Sequence, residues 1–289
     1  PLHPELANSL MHLGNLFSRR WEGEKAIPFY ERAVVILERA GSGFDDQRAI
    51  LLTSKGVAYR RTGNNRKAKE LYEEALTIQE RVLGPDHPDV ASTLNNLAMV
   101  LGERGDYTTS VRLHRRAMAI REKAFGLNHE WVGESANNLA SQLGYLGLYV
   151  EALAIQERAV QIFRDQLGTD HQRYWYAKLN LGIAYLDMGD PAGALPICQD
   201  VVAGLRKRYG QAHGQTCYAL DAQASCHFGL KEFDKALEVY TESLQIGEAD
   251  YGAGSYETAD TIQQQGKCLI ALGRLDEAVE RLNTSLAIW

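Results

Sequence analysis

The stretch "LGPDHPDVASTLNNLA" at residues 83–98 decides the fold, because close variants of it recur along the chain at one fixed interval. Its first glycine returns every 42 residues, at Gly84, Gly126, Gly168, Gly210 and Gly252. A second glycine series keeps the same step at Gly63, Gly105, Gly147, Gly189 and Gly273, with Lys231 in the one remaining place. No residue is inserted or deleted between these copies. Such a constant period predicts a solenoid of stacked repeats.

The composition is typical of a soluble folded protein, since 45% of the 289 residues are apolar and 24% are charged. The net charge of −6 gives no overall attraction to nucleic acid or to an anionic membrane surface, so we expect neither as a partner. No apolar stretch approaches the ~18 residues of a membrane span. The four cysteines lack the spacing of a zinc site and indicate free thiols in a reducing, cytoplasmic compartment.

The charge is distributed unevenly along the chain. Through Tyr145 there are 19 Lys and Arg residues against 18 Asp and Glu, whereas the remainder has 12 against 19. Solvated helix faces are the commoner cause of such asymmetry, and a charged ligand is the alternative cause.

Each repeat reads as two amphipathic helices. In the first, Leu94, Leu97, Ala98 and Leu101 follow the i, i+3, i+4, i+7 spacing of one helix face. A glycine then interrupts the pattern, and a second helix is predicted over about residues 107–123. The "LGPDHP" segment closes the repeat, because a glycine stops a helix and prolines do not continue one.

Two-helix repeats of this length also occur in HEAT and armadillo proteins, and the order of residue sizes decides between the families. In the second repeat Ala68, Tyr72 and Ala75 give a small–aromatic–small order that resembles the tetratricopeptide repeat (TPR) signature. The sharper resemblance is to the TPR domain of kinesin light chains, through residues 91–126 and the linking "LGPDHPDV". This resemblance implies an all-α TPR solenoid, a right-handed superhelix with a concave groove.

The chain accommodates six repeats and a truncated seventh. We place them at residues 7–48, 49–90, 91–132, 133–174, 175–216, 217–258 and 259–289. His3 and Pro4 align with His87 and Pro88, and Trp289 falls in the middle of a second helix, so we expect a fragment of a longer protein.

A histidine in each "DHP"-like corner suggests a metal site at first sight. These residues are His3, His87, His129, His171 and His213. Equivalent atoms of stacked repeats lie ~10 Å apart, which is too far for shared coordination of one ion. We therefore expect the histidines to hydrogen-bond within the corner, with Asp86 and Asp170 helping to satisfy free amides at the next helix start. No phosphate loop or catalytic motif occurs, so neither a metal, a cofactor nor an enzymatic activity is expected.

Polar amides collect on the stripe of the first helix that lies opposite Leu94 and Leu97. The members of this set are Asn95, Asn96, Asn137, Asn138 and Asn180. Asparagine is a mediocre helix former, and its amide can both donate to and accept from an extended peptide backbone. The resemblance implies a ligand-holding role where "NNLA" matches, less directly at Asn180, and none at Ala222. The alternative is that these asparagines bridge adjacent helices and serve only the fold.

Cations near this stripe predict the kind of peptide. Arg60 and Arg61 end the first helix of the second repeat, and Asn15 and Arg19 occupy related places in the first repeat. Together with the more basic N-terminal half they favour an acidic peptide, although each arginine could equally be solvated. Tyr145 could add an apolar contact.

We therefore expect a non-catalytic module that binds an extended, acidic peptide segment of a partner protein in its groove. The alternative is a sensor or regulatory arm of a multidomain switch or effector enzyme. In that case the partner would be a neighbouring domain of the same full-length chain.

Overall fold

A computed structural model of the protein describes residues 3–289, and these residues form fourteen α-helices and no strand. The helices are α1 (Pro4–Arg19), α2 (Gly23–Ala40), α3 (Asp45–Arg61), α4 (Asn65–Leu83), α5 (Pro88–Glu103), α6 (Tyr107–Phe125), α7 (Glu130–Tyr145), α8 (Tyr149–Leu167), α9 (Gln172–Asp187), α10 (Pro191–Tyr209), α11 (Cys217–Gly229), α12 (Phe233–Tyr251), α13 (Tyr256–Ala271) and α14 (Leu275–Ile288). The all-α prediction is confirmed. Within the same residues, no helix combines the length and the apolar composition that crossing a membrane requires.

The helices belong to two compact units. The N-terminal unit ends at Leu146, and the C-terminal unit spans Gly147–Trp289. In the N-terminal unit each helix packs on the next one, and α1, α3, α5 and α7 also contact one another in that order. In the C-terminal unit consecutive helices pack in the same way, and α9 contacts α11.

The corner histidines begin the helices that follow them. Nδ1 of His87 accepts the backbone N–H of Asp89 at 3.2 Å, and Nδ1 of His129 accepts that of Trp131 at 3.2 Å. The same bond forms at His3 and His171, and at His213, where it begins the short 3-10 helix Gly214–Thr216 that precedes α11. The predicted hydrogen-bonding role is therefore confirmed for the histidines, because their rings satisfy an otherwise free amide of the first turn.

The predicted help from the corner aspartates is wrong in detail. The carboxylate of Asp86 pairs with Lys123 Nζ at 2.6 Å, and Asp170 contributes only its backbone carbonyl, to Arg208. Neither carboxylate caps a helix. The adjacent histidines, His87 and His171, accept the first-turn N–H groups of Asp89 and Arg173 instead.

Close helix crossings explain the small residues at the centres of the first helices. The rings of Tyr30 and Tyr72 are fully buried and lie over Gly14 and Gly56. A Cβ atom on Gly56 would be 2.5 Å from Cε1 of Tyr72, and on Gly14 it would be 2.6 Å from the same atom of Tyr30. A small residue on the first helix and a large one on the second therefore fill one space in these hairpins.

Left-handed backbone ends the first helix of each repeat. Gly63, Gly105, Gly147, Gly189 and Gly273 all have φ between 73° and 84°. The same repeat position holds Trp21 with φ 61° and Lys231 with φ 62°. These two non-glycine residues carry backbone strain that the glycines avoid, because a Cβ atom is crowded in this conformation.

Replacing Lys231 with glycine is expected to raise the free energy of unfolding by about 0.5–1 kcal/mol, since the relieved strain outweighs the added chain entropy of glycine. Lys231 is exposed and forms no ion pair within residues 3–289, so no contact is lost. Urea unfolding checks the value. The control is Lys231→Ala, which keeps the Cβ atom and should leave stability unchanged or lower. Equal stabilisation by both variants would contradict the strain argument.

The four cysteines are free and buried. Cys226 and Cys268, which stand one repeat apart, are both fully buried. They are small packing residues, as their position on the first helices requires.

Candidate peptide-binding face

The first helices of the N-terminal unit present a continuous solvent-facing stripe. On α5, beyond its first turn, the residues that are not buried are Ser92, Asn96, Met99 and Glu103, at successive steps of four, three and four. The corresponding residues are Asn8, His12, Asn15 and Arg19 on α1, Ile50, Ser54, Val57 and Arg61 on α3, and Glu134, Asn138, Ser141 and Tyr145 on α7. We call these sixteen residues the first-helix face.

Asn95 does not belong to the first-helix face, contrary to the sequence expectation. Its side chain is only 3% exposed, and both ends of the amide are used. Nδ2 donates to Ser135 Oγ at 2.9 Å, and Nδ1 of His114 donates to Oδ1 at 2.8 Å. Asn95 therefore joins α5 to α6 and α7, because one step along the helix turns it ~100° away from Asn96.

This buried network continues to a cation. Arg121 is 4% exposed, and its Nη1 donates to Ser135 Oγ at 3.0 Å and to the carbonyl of Trp131 at 2.9 Å. Nε2 of His114 has no hydrogen-bond partner. Burial, with a smaller contribution from Arg121, lowers the pKa of His114 to about 4. His114 is therefore neutral at pH 7, with its proton on Nδ1.

A recurring bridge between neighbouring first helices explains the place of Asn95. Thr53 and Thr93 are joined by a 3.2 Å hydroxyl hydrogen bond in the same way. In the C-terminal unit Thr261 Oγ1 donates to Asp221 Oδ2 at 3.1 Å. In each pair the partners are 40 residues apart, so polar residues recurring at that spacing are the sequence signal that identifies the bridges.

Asn96 and Asn138 remain available. Both are half-buried on the first-helix face, and neither side-chain amide has a hydrogen-bond partner among residues 3–289. Asn137 is half-buried on α7, and Asn180 is half-buried on α9 of the C-terminal unit. The two available amides occupy the same position in consecutive repeats.

Two of the arginines predicted to bind the peptide, Arg60 and Arg61, bond to other residues of the chain. Arg60 Nη1 pairs with Glu103 Oε1 at 2.9 Å. The guanidinium of Arg61 donates to Ser18 and lies 4.6 Å from the ring of Trp21. Both side chains reach an adjacent repeat, because Glu103 follows Arg60 by 43 residues and Ser18 precedes Arg61 by 43 residues.

The remaining residues predicted to contact the peptide are Asn15, Arg19 and Tyr145, and they differ in how far their side chains are free to bind a ligand. Asn15 accepts a hydrogen bond from the hydroxyl of Tyr30 at 2.7 Å, which leaves its amide nitrogen to a ligand. Arg19 is exposed and has no partner in the described part of the chain. Tyr145 is 67% exposed and stacks on Tyr107 with ring centroids 4.9 Å apart. The stacking holds the ring of Tyr145 on the first-helix face.

Lys178 occupies a place that is usually apolar, and its charge is compensated within the C-terminal unit. Nζ donates to Asp200 and, at 3.2 Å, to the hydroxyl of Tyr174. Burial alone would lower the pKa of Lys178, but these bonds to Asp200 and Tyr174 raise it above its ordinary value. Lys178 therefore serves the packing of α9 on α10.

Solved structures with the same fold come from several proteins. One is a kinesin light chain-like protein of Podospora anserina with nearly identical TPR-like repeats, which is 24% identical over 72% of this chain and 98% of its own, with a TM-score of 0.61. The apo quorum sensor NprR from B. thuringiensis is 11% identical over 96% of this chain and 75% of its own, with a TM-score of 0.79. A Rap protein complexed with Competence and Sporulation Factor is 14% identical over 99% of this chain and 98% of its own, with a TM-score of 0.61.

Comparison with curated protein sequences finds no match. The family model for the tetratricopeptide repeat matches residues 5–81, 47–123, 89–143, 131–207 and 215–289, some of them overlapping. These matches account for most of the sequence, and the helical hairpins agree with them. The chain therefore belongs to the tetratricopeptide repeat family.

Proposed function

We propose that this chain is a non-catalytic protein-interaction module that binds an extended peptide segment of a partner on the first-helix face of the N-terminal unit. The observation that carries the proposal is the pair of unpartnered amides of Asn96 and Asn138, which stand at one position of consecutive repeats. Each amide offers a donor and an acceptor, the two groups that an extended backbone requires at each residue.

The repeat spacing fits such a ligand. Neighbouring packed helices lie ~10 Å apart, and an extended chain advances ~3.3 Å per residue. Asn96 and Asn138 would therefore hold backbone groups about three residues apart. Val57 and Met99 lie between the polar residues of the face and offer apolar contacts to the peptide side chains.

An acidic peptide suits the N-terminal end of the face best. Arg19 is exposed without a partner, and a guanidinium binds a carboxylate through charge-assisted hydrogen bonds. The N-terminal half also carries more basic than acidic residues, in contrast to the remainder of the chain. Proteins of the same fold support a peptide or protein ligand by analogy, since one was solved with Competence and Sporulation Factor and another is a quorum sensor.

A double substitution tests the proposal. Peptides are first selected from a displayed random 12-residue library, and their affinity is measured by fluorescence polarisation. Replacing Asn96 and Asn138 with alanine is expected to weaken binding at least 10-fold, because two backbone contacts are lost. The melting temperature should stay within ~2 °C of wild type, since these amides bond to nothing in the fold. The matched control is Asn283→Ala on α14, an exposed asparagine whose loss should change neither quantity.

The same assay tests the preference for acid. Selected peptides should be rich in Asp and Glu, and their affinity should fall as salt rises from 50 to 500 mM, because exposed charges are screened. Arg19→Gln should reduce that salt dependence. A binding peptide that is insensitive to the two asparagines would overturn the proposed face, and neutral peptides with salt-independent affinity would overturn the acidic preference alone.

A further inference from the structure

A cavity of about 370 Å³ lies between α11, α12 and α13 of the C-terminal unit. Its size is within the range of pockets that bind small ligands or single side chains. Three tyrosines line it, and Tyr218 and Tyr256 are 55% and 65% exposed while Tyr251 is 38% exposed. Their hydroxyl groups have no hydrogen-bond partner among residues 3–289. The cavity therefore presents three partly exposed aromatic rings, of which that of Tyr256 also lies against Trp289, with ring centroids 5.4 Å apart.

The charged groups of this cavity all have one sign. Asp221, Glu257 and Asp260 line it, and no Lys, Arg or His does. None of the three carboxylates forms an ion pair within the described residues. In a partly desolvated cleft such charges are screened less than at an open surface. The cavity therefore lacks the cation that would balance its acids.

Asp221 is the most confined of these acids. Its Oδ2 accepts the hydroxyl of Thr261. The hydroxyl of Ser243 lies nearby but donates to the carbonyl of Cys217, so the buried Oδ1 accepts no hydrogen bond. Asp221 as a whole is half-buried, but a buried carboxylate oxygen normally accepts a hydrogen bond, so the unpartnered Oδ1 needs an explanation. Asn95 shows the contrast, because it stands at the same repeat position and uses both ends of its amide. A neutral amide would bridge to Thr261 without a charge.

We propose that this cavity binds one organic cation, the guanidinium or ammonium group of an Arg or Lys side chain in a partner peptide. The cation would balance Asp221, and the tyrosine rings would contact its face and its aliphatic chain, as they do in cation–π sites. Residues 3–289 contain no group of three or more His, Cys, Asp or Glu side chains placed to hold a metal ion, which favours an organic over an inorganic cation. The proposal does not depend on the first-helix face, since all its residues lie in the C-terminal unit.

A purely structural role for Asp221 is the competing explanation, and Asp221→Asn separates the two. The amide of this variant can keep the bridge to Thr261, whereas the charge is removed. A structural carboxylate would leave the variant less stable than wild type. A ligand-binding carboxylate should leave it at least as stable, because burial of the charge opposes folding in the absence of the cation.

The probe is the tripeptide Ac-Gly-Arg-Gly-NH2, titrated into the 289-residue protein and followed through the backbone amide NMR shifts of Gly247 and Thr258. Wild type should show saturable shifts, and Asp221→Asn should bind at least 10-fold more weakly. The same tripeptide with citrulline, which has the shape of arginine without its charge, should not bind. The matched control is Glu280→Gln on α14, which removes one exposed acid of the C-terminal unit outside the cavity and should bind as wild type does.

The pH dependence gives a second readout. Burial raises the pKa of Asp221 to about 6, so binding of the Arg tripeptide should weaken as pH falls from 7 to 5. The groups near Asp221 are Cys217 and Tyr218 on α11, Tyr240, Ser243 and Tyr251 on α12, and Glu257, Asp260 and Thr261 on α13. Tyr251 and Cys217, with pKa values raised to about 12 and 11 mainly by burial, do not titrate in this window.

Several results would overturn the proposal. These are equal binding by Asp221→Asn and wild type, binding of the citrulline peptide, equal weakening by Glu280→Gln, and saturation of the same shifts by CaCl2 in competition with the Arg tripeptide. Failure of any peptide to shift Gly247 and Thr258 in wild type would also overturn it. None of these results bears on Asn96 and Asn138, whose peptide is selected and assayed separately.

Discussion

Replacing Asn95 with alanine is expected to lower the free energy of unfolding by about 3 kcal/mol. The substitution removes two buried hydrogen bonds, one from Asn95 to Ser135 and one from His114 to Asn95. A typical hydrogen bond contributes about 1 kcal/mol net, and a buried donor left without a partner costs about 1–3 kcal/mol. After the substitution the Nδ1–H of His114 has no acceptor in a fully buried site. The small cavity left by the amide adds to the loss.

Asn96→Ala is the matched control for this substitution. It removes the same amide one residue further along α5, where the side chain bonds to nothing in the fold, and should change stability by less than about 0.5 kcal/mol. Urea unfolding followed by circular dichroism measures both, and amide hydrogen exchange on α5, α6 and α7 locates the weakening. Equal effects of the two substitutions would refute the division between a structural and an available asparagine.

The repeat period predicts the fold because it reports backbone constraints that each repeat meets separately. The glycines at 42-residue steps end helices, and the corner histidines begin them through bonds that span only two residues. Both features depend on local sequence, so they are visible without knowledge of any neighbour. The small residues at Gly14 and Gly56 follow from a crossing within one hairpin, which is also nearly local.

The candidate site was predicted only in part, because its roles depend on contacts between repeats. Asn95 and Asn96 are adjacent in sequence, yet Asn95 bonds to Ser135 and Asn96 faces solvent. Helix periodicity places both near the polar stripe and does not say which one meets the next helix. Arg61 likewise folds back onto Ser18, because a long flexible side chain can reach several partners. The cavity at Asp221 was missed altogether, since its lining residues come from three helices.

Acidification is expected to destabilise the protein through His114. Its pKa is about 4 in the folded protein, against 6.5 as its ordinary value. Because the folded pKa is lower, the unfolded chain binds more protons between these values, and stability must fall as pH falls. The contribution is complete above pH 6.5 and is lost by about pH 4. A difference of about 2.5 pKa units corresponds to about 3.4 kcal/mol when the titration is complete. The physical reason is that burial removes water from the charged imidazolium, whose Nε2–H would find no acceptor, and that Arg121 adds a smaller repulsion.

His114→Gln tests this dependence. The next repeat has a glutamine, Gln156, at the position of His114, and a glutamine side chain can donate to Asn95 without titrating. The stability of wild type minus that of the variant should decrease by about 2.4 kcal/mol from pH 7 to pH 4.5, measured by urea unfolding at each pH. Asp221 has the opposite sign, since its raised pKa makes stability fall as pH rises between about 4 and 6, but it is present in both proteins and cancels in the difference. His12→Gln on α1 replaces an exposed histidine and should leave the pH dependence of wild type intact. A difference that stays constant with pH would show that the buried imidazole is not the group that acid protonates.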